Sequence, residues 1–393
     1  MDRIAAEPPR QVVILVGGRG TRLGSITDTV PKPLVPVADR PFLDWQLEEI
    51  VRFGFSQVLL LAGYRADQFE SRYRGRLRQG TSIEVAVEPR PLGTGGALRL
   101  FRERLESRFI LMNGDTFFPF NLLDLCLRLN GAVGVLALCR MAGRRYGTVD
   151  LQPDGRLAGF LAAGEGTGQL PINAGAYLLK REIVDHLPAD GPVSLEADVF
   201  PGLAATGRLR GHVYDAPFID IGVPEDLEKA QTFLPEITRR PAVIFQAEGV
   251  LIDVWHDRGD AAALVWRPGA EDAIKDLNDS RWLVFVVADV SGGELELRDR
   301  EPLATLPEAM ARALRPLGAH IDGFARWQSH AEGDASGAGP LALEPLLKSP
   351  LVDRNRSFIV ATGDKRTIEG LAVHQYAGGD LPKLVRELAS FVT

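Results

Sequence analysis

The hydrophobic pattern of the chain changes character once. From residue 12 to about residue 234, short β-branched or leucine-rich runs alternate with stretches whose apolar residues recur at helical spacing. Residues 12–16, 58–61, 83–87, 109–112 and 133–138 predict strands. Between the first two, Leu43, Leu47, Ile50 and Val51 share one helical face. The alternation predicts an open, largely parallel α/β sheet with ligands at the carboxyl ends of its strands. A polar stretch at 235–241 then predicts a linker, and the run 242–245 opens a second α/β unit. That unit ends in a helix started by Asp380 and Pro382, with Leu381, Leu384, Val385, Leu388 and Phe391 as its packed face. The expected division is 1–235, a linker at 236–241, and 242–393.

Composition narrows the class without naming it. At 393 residues the chain exceeds one typical core, so two domains are expected. A net charge of −7 argues against nucleic acid as a bulk electrostatic partner. Cys126 and Cys139 are the only cysteines, too few for a disulfide framework or a cysteine zinc cluster. Neither a signal peptide nor a bilayer-spanning apolar run is evident, so no membrane partner is expected and the cytoplasm is the default compartment.

Three clusters carry the chemistry. The strand 12–16 empties into Gly17-Gly18-Arg19-Gly20-Thr21-Arg22-Leu23, and Pro31-Lys32-Pro33 follows. Glycines let the backbone approach a ligand, and successive N–H groups form an anion-binding nest. Arg22 and Lys32 add positive charge, an arrangement that suits a nucleoside triphosphate. In the second cluster, Glu88-Pro89-Arg90-Pro91-Leu92-Gly93-Thr94-Gly95-Gly96 runs into a helical stretch and offers a backbone surface for a flat base. The third ends the strand 109–112 in Asn113-Gly114-Asp115, placing a carboxylate at the working edge of the sheet. Asp220, in Phe218-Ile219-Asp220-Ile221-Gly222, supplies a second. One or two carboxylates with phosphate oxygens and water make a usual Mg²⁺ shell. Alone, each aspartate would more often be a strand-end cap or turn residue.

Taken in order, these motifs resemble the sugar-1-phosphate nucleotidylyltransferases over residues 11–232. Leu23-Gly24-Ser25-Ile26-Thr27, Asn113-Gly114-Asp115-Thr116-Phe117-Phe118 and the run from Phe218 to Asp226 are most similar to D-glycero-D-manno-heptose 1-phosphate guanylyltransferases. The resemblance implies a Rossmann-like, GT-A-like mixed-sheet domain with Mg²⁺ as cofactor. It implies transfer of a nucleoside monophosphate, GMP from GTP being favoured, to a heptose- or mannose-type sugar 1-phosphate, with loss of pyrophosphate. The N–H groups of Gly17, Gly18, Gly20 and Thr21 would cradle the triphosphate. Glu88, Leu92, Gly93, Thr94, Gly95 and Gly96 would complete the nucleotide site. Arg22 would stabilise the leaving pyrophosphate, Lys32 would pair with phosphates near the α-phosphorus, and Asp115 with Asp220 would hold the metal. Tyr146, Gly147, Asn173, Ala174, Gly175 and Glu196 would meet the sugar phosphate. A homo-oligomer is compatible with this reading.

Two departures stand out. Where the group carries a lysine for the sugar phosphate, the residues after Phe160 are Leu161-Ala162-Ala163-Gly164, with no cation; Arg144 or Arg145 is the candidate substitute. The second unit resembles the haloacid dehalogenase superfamily, specifically the heptose-bisphosphate phosphatases, through Val243 to Ile252. There Gln246 replaces the aspartate nucleophile and Glu248 the second aspartate, while Val286-Val287-Ala288 lacks the hydroxyl of the second motif. An amide cannot form an acyl phosphate. Asp364 remains as one metal-motif acid, followed by Ile368 where another is expected, and His330 stands without the zinc cysteines. This resemblance implies a catalytically silent domain. A nucleotide-binding pseudoenzyme and, less favoured, a sugar-bisphosphate phosphatase are the rival readings of the whole chain.

Overall fold

A computed structural model describes residues 7–141, 147–161, 170–256, 263–289, 302–327, 343–362, 367–368 and 370–392. The chain divides into two compact units, Pro8–Glu236 and a second that begins at Ile237.

The first unit is a ten-stranded mixed sheet. Its elements are β1 (Gln11–Leu15), α1 (Phe42–Arg52), β2 (Gln57–Ala62), α2 (Ala66–Tyr73), β3 (Arg76–Arg78), β4 (Thr81–Val87), α3 (Gly93–Leu100) and β5 (Arg108–Asn113). There follow the short β6 (Thr116–Phe117), β7 (Gly134–Cys139), β8 (Thr148–Leu151), β9 (Leu157–Leu161), β10 (Ile172–Lys180), β11 (Leu209–Tyr214), β12 (Ile219–Asp220) and α4 (Pro224–Thr238). The main path runs β9-β8-β10-β5-β1-β2-β4-β3, with β7 beside β10 and β11 beside β7.

Strands β5, β1, β2 and β4 are mutually parallel, as the alternation of strand and helix predicts. The flanking strands depart from it: β10 is antiparallel to both β5 and β7, and β3 is antiparallel to β4. Both faces of the parallel block are covered. Val12 and Ile14 join Leu43, Leu47 and Ile50 in one layer, while Val13 joins Ala97, Leu98 and Phe109 in the other. Double burial explains why β1 reads as an unbroken apolar run.

The second unit contains β13 (Ala242–Gln246), the hairpin β14 (Ile252–His256) and β15 (Ala263–Trp266), α5 (Ala270–Asp279), β16 (Leu283–Asp289), α6 (Pro302–Leu314) and β17 (Gly323–Trp327). It closes with β18 (Phe358–Ala361), β19 (Thr367–Ile368), β20 (Leu371–Gln375) and α7 (Leu381–Val392). Its six-stranded sheet has the order β17-β16-β13-β18-β20-β19, parallel except at β19.

Two local expectations are corrected. The segment 235–241, expected as a linker, is helical in its first half: α4 continues through Pro235 to Thr238. Arg240 is buried, its N–H bonding Leu351 O at 2.7 Å while its carbonyl accepts from Asp353 N at 2.7 Å. Charge on the side chain hid a backbone already paired in the second unit. In α7, Leu381 and Val385 are buried and Asp380 Oδ1 caps the start by accepting from Lys383 N, but Phe391 is 85% exposed. Phe391 sits in the last turn of α7.

Candidate active site

The carboxyl ends of β1, β2, β4 and β5 surround a cavity of about 450 Å³. Its wall includes Gly17, Gly18, Gly20, Thr21, Arg22, Lys32, Glu88, Gly93, Thr94, Asn113, Asp115 and Gly222. Most residues predicted to meet the triphosphate and base therefore converge on one space.

The glycines there serve different neighbours. A Cβ on Gly17 would lie 2.4 Å from Glu88 Oε1, and so would one on Gly63. The Glu88 carboxylate thus threads between turns that follow two adjacent strands, which are themselves joined by the bond from Tyr64 N to Gly17 O at 3.1 Å. Leu92 N donates to Glu88 Oε2 at 3.3 Å. Burial raises the Glu88 pKa above the ordinary carboxyl value, and the Leu92 N–H opposes the rise. Gly18, by contrast, faces open space. Gly93 is required twice over: its φ is +74°, and a Cβ would meet Val193 O at 2.4 Å.

Gly95 and Gly96 are buried and do not border the cavity. Substituents there would strike Val193 Cγ1 and Leu92 Cβ, each at 2.9 Å, so their small size lets α3 pack closely. Leu92, 7% exposed, is likewise part of the packing beneath the loop.

Lys32 and the two aspartates form the charged centre. Lys32 is 6% exposed, and its Nζ lies 2.5 Å from Asp115 Oδ2 and 3.5 Å from Asp220 Oδ1. The aspartates are brought together by backbone pairing: β6 and β12 are antiparallel with Asp220 opposite Thr116, and Ile221 N donates to Asp115 O at 3.0 Å. A Cβ on Gly222 would come within 2.8 Å of Asp220 Oδ1, so this glycine makes room for the carboxylate. Gly114 permits the turn before Asp115, since a Cβ there would lie 2.7 Å from Leu15 O. Two convergent carboxylates already holding a cationic group form a donor set that suits a divalent cation whose remaining ligands come from phosphate and water. Among the described residues, no group of three or more histidine, cysteine or acidic side chains is gathered at one point, here or elsewhere.

Two of the predicted sugar contacts, Asn173 and Glu196, are linked through a hydrogen-bonded chain. Asn173 Nδ2 donates to Tyr177 Oη at 2.9 Å, and Tyr177 donates to Glu196 Oε1 at 3.1 Å. Glu196 Oε2 accepts from Thr94 Oγ1 at 3.0 Å and from Ser194 Oγ at 3.1 Å. Thr94 Oγ1 in turn accepts from Leu195 N at 2.7 Å. Burial, reinforced by the Glu196 charge, pushes the Tyr177 pKa far above its ordinary value, keeping the hydroxyl a donor. Ala174 is buried, and Gly175, at φ +71°, leaves room for the Asn113 side chain. Gly147 lies before β8 with Leu161 O close to its Cβ direction. Tyr146, together with Arg144, Arg145, Ala162 and Ala163, lies outside the described residues.

Four contributors escaped the sequence reading. Gln46 on α1 is 1% exposed, and its Nε2 donates to Asn113 O at 2.8 Å and Thr116 O at 2.6 Å, bracketing Asp115. Its signal was a polar residue three positions after Leu43 on an apolar face. Tyr177, Gly63 and Gly222 had no comparable mark.

In the second unit, Gln246 ends β13 and its Oε1 accepts from Thr362 N at 3.0 Å and Thr362 Oγ1 at 3.2 Å. Glu248 is exposed, and Ala288 contributes only a methyl group. Asp364 and His330 lie outside the described residues.

The Nucleotidyl transferase family profile matches residues 11–237. The chain belongs to the nucleotidyl transferase family. A D-glycero-α-D-manno-heptose 1-phosphate guanylyltransferase of Aneurinibacillus thermoaerophilus is 35% identical over 228 residues, covering 56% of this chain and 96% of that enzyme. A mannose-1-phosphate guanylyltransferase of Mycobacterium tuberculosis is also 35% identical over 228 residues, but the chain spans only 64% of its length. The crystal structure of HddC from Yersinia pseudotuberculosis complexed with GMP-PN is 33% identical, covers 56% of this chain and 97% of HddC, and superposes with a TM-score of 0.51. These relatives are nucleotidyltransferases (EC 2.7.7), and the family member described here shares with them its N-terminal unit.

Proposed function

We propose that the first unit transfers GMP from GTP to a heptose- or mannose-type sugar 1-phosphate, releasing pyrophosphate. The observation that carries this reading is the meeting of Lys32, Asp115 and Asp220 at the edge of a cavity walled by the glycine turn and by Glu88. In this reading the sugar phosphate oxygen attacks the α-phosphorus in line, a new O–P bond forms, and the bond to the β-phosphate oxygen breaks as pyrophosphate leaves. The nucleophile is ionised at neutral pH, so no general base is needed. Lys32 and Arg22 neutralise charge on the phosphates, while the N–H groups of Gly17, Gly18, Gly20 and Thr21 orient them. Asp115 and Asp220 would hold Mg²⁺. When bound, the metal supplies further charge neutralisation and alignment of phosphate oxygens.

Glu88 supports the choice of guanine. A carboxylate accepts two parallel N–H bonds, and guanine offers adjacent N1–H and N2–H donors on its Watson–Crick edge, whereas adenine, cytosine and uracil lack that pair. Gly93 and Thr94 provide the neighbouring surface. Asn173, Ala174, Gly175 and Glu196, with Tyr146 and Gly147, are assigned to the sugar phosphate. The absence of a lysine at 162–163 is expected to weaken sugar-phosphate binding unless Arg144 or Arg145 replaces it. We assign the second unit, 242–393, as a degenerate haloacid dehalogenase-like domain without phosphatase activity. Its parallel sheet and the tethered amide of Gln246 at the end of β13 are consistent with that assignment.

The deciding experiment measures pyrophosphate release by the full chain with Mg²⁺. ATP, CTP, GTP and UTP are each paired with mannose, glucose and heptose 1-phosphates. GTP with mannose or heptose 1-phosphate should be turned over fastest. Absence of release from every pair would overturn the transferase reading.

A further inference from the structure

Tyr177 lies where the two predicted sugar-facing polar groups meet. Its ring is fully buried in β10 and packs on Phe200, with centroids 5.3 Å apart, so only the hydroxyl has a polar task. The local backbone creates that position. Between Asn173 and Tyr177, four steps along β10 oppose only two along β7, from Leu138 to Leu136. This bulge, with Gly175 at φ +71°, brings the side chains of residues four apart in a strand into hydrogen-bond contact.

The direction of every bond in the chain is fixed. Thr94 Oγ1 receives the Leu195 N–H, so its own proton goes to Glu196. Ser194 Oγ receives the Ala197 N–H, and its proton also goes to Glu196. Tyr177 gives its proton to the other Glu196 oxygen and accepts one from Asn173, whose carbonyl oxygen is held by Gly175 N at 3.0 Å. Three of the roughly four acceptor sites of the carboxylate are thereby used. Asn173 and Glu196 are each partly exposed, whereas Tyr177 is not. A ligand thus meets an amide and a carboxylate whose remaining donor and acceptor positions have been set from beneath.

We propose that Tyr177 is a positioning residue for acceptor specificity: its hydroxyl locks Asn173 and Glu196 into one donor–acceptor pattern, which determines which sugar 1-phosphates fit. The proposal rests on the transferase reading above. It differs from a direct contact, because the hydroxyl is spent on the two side chains it orients. Without that hydroxyl, Asn173 keeps only the Gly175 N–H and Glu196 only Thr94 and Ser194, and nothing ties the amide to the carboxylate; uncoupled, they accommodate more hydroxyl configurations, whereas tied together they discriminate among epimers.

Tyr177→Phe removes the hydroxyl and keeps the ring packing. The full chain and this variant are compared by steady-state kinetics with GTP against mannose, glucose, galactose and heptose 1-phosphates, with calorimetric titration of GTP and with thermal melting. The KM for the preferred sugar 1-phosphate should rise at least fivefold. The KM for its poorer epimers should change less than twofold, so selectivity in kcat/KM falls, while GTP affinity stays within twofold. An equal loss toward every sugar phosphate, a parallel loss of GTP affinity, or unchanged selectivity would each overturn the proposal. If the wild-type chain releases no pyrophosphate with any pair, the transferase reading fails and the proposal fails with it. Activity in the wild type with unaltered selectivity in the variant rejects the role of Tyr177 alone.

Discussion

The Lys32 ammonium and the Asp115 carboxylate are 2.5 Å apart, with Lys32 almost wholly buried and Asp220 reached from the same nitrogen at 3.5 Å. One side-chain cation thus occupies the charge position between the two acids assigned to the metal.

Lys32→Met should therefore act in two opposite ways. It removes positive charge needed at the phosphates, so turnover should fall at least a hundredfold. It also removes an internal competitor for the acids, so Mn²⁺ should bind more tightly in the absence of nucleotide, by at least tenfold. Electron paramagnetic resonance of Mn²⁺ reads the second effect without any turnover.

Asp115→Asn and Asp220→Asn are nearly isosteric but withdraw one charge from the centre. Each should abolish Mg²⁺-dependent pyrophosphate release while leaving the melting transition within a few degrees. Near wild-type turnover at limiting Mg²⁺ would refute the metal pair.

Gly222→Ala offers a finer test. Its φ is not in the left-handed region, and the added methyl meets the movable end of Asp220 rather than backbone. The stability cost should stay below about 1.5 kcal/mol, yet the displaced carboxylate should raise the Mg²⁺ requirement severalfold. Denaturant unfolding together with Mg²⁺ titration separates the two effects.

Glu88→Gln should erase much of the preference for GTP over ATP, since an amide places one donor against the guanine N–H pair. The pH dependence follows from burial. With its folded-state pKa raised, Glu88 protonates at a higher pH than an unburied glutamate, and the protonated form cannot accept both N–H bonds. GTP affinity should therefore decline on acidification through that raised pKa, and the decline should be absent in the glutamine variant. For stability the sign is reversed: the contribution of this proton is present below the unfolded pKa and lost as pH rises through the folded one. Glu88→Gln should accordingly be no less stable than wild type at pH 8 in thermal melting.

The second unit should release no phosphate from sugar bisphosphates with Mg²⁺, Mn²⁺ or Zn²⁺. Gln246 has no carboxylate to attack phosphorus, and its side-chain oxygen is engaged by Thr362. Release abolished by Asp364→Ala after stringent purification would disprove the assignment.

Much of the parallel block was legible because burial on both faces imposes a continuous apolar run, as in β1 and β5. The glycine turn and Gly114-Asp115 were legible because close backbone approach restricts residue type. The antiparallel setting of β10 was not, since its apolar run looks alike in either direction. Nor were Gln46 and Tyr177 recognised as parts of the site, because their work depends on partners roughly 20 or more positions away, Asn113, Thr116 and Glu196, that periodicity does not reveal. At 235–241, polarity suggested a linker, although the backbone is committed to α4 and then to pairing with residues near 351–353.

The double hold of Gln46 on Asn113 O and Thr116 O has a consequence for how the protein tolerates change. The aim of Asp115 is calibrated by a helix whose other obligations lie in the hydrophobic layer. A repacking of α1 that leaves the protein folded will still retune the carboxylate. Damage to this centre can therefore arise from inherited variation deep in the core, where a survey confined to the cavity wall would see every residue intact.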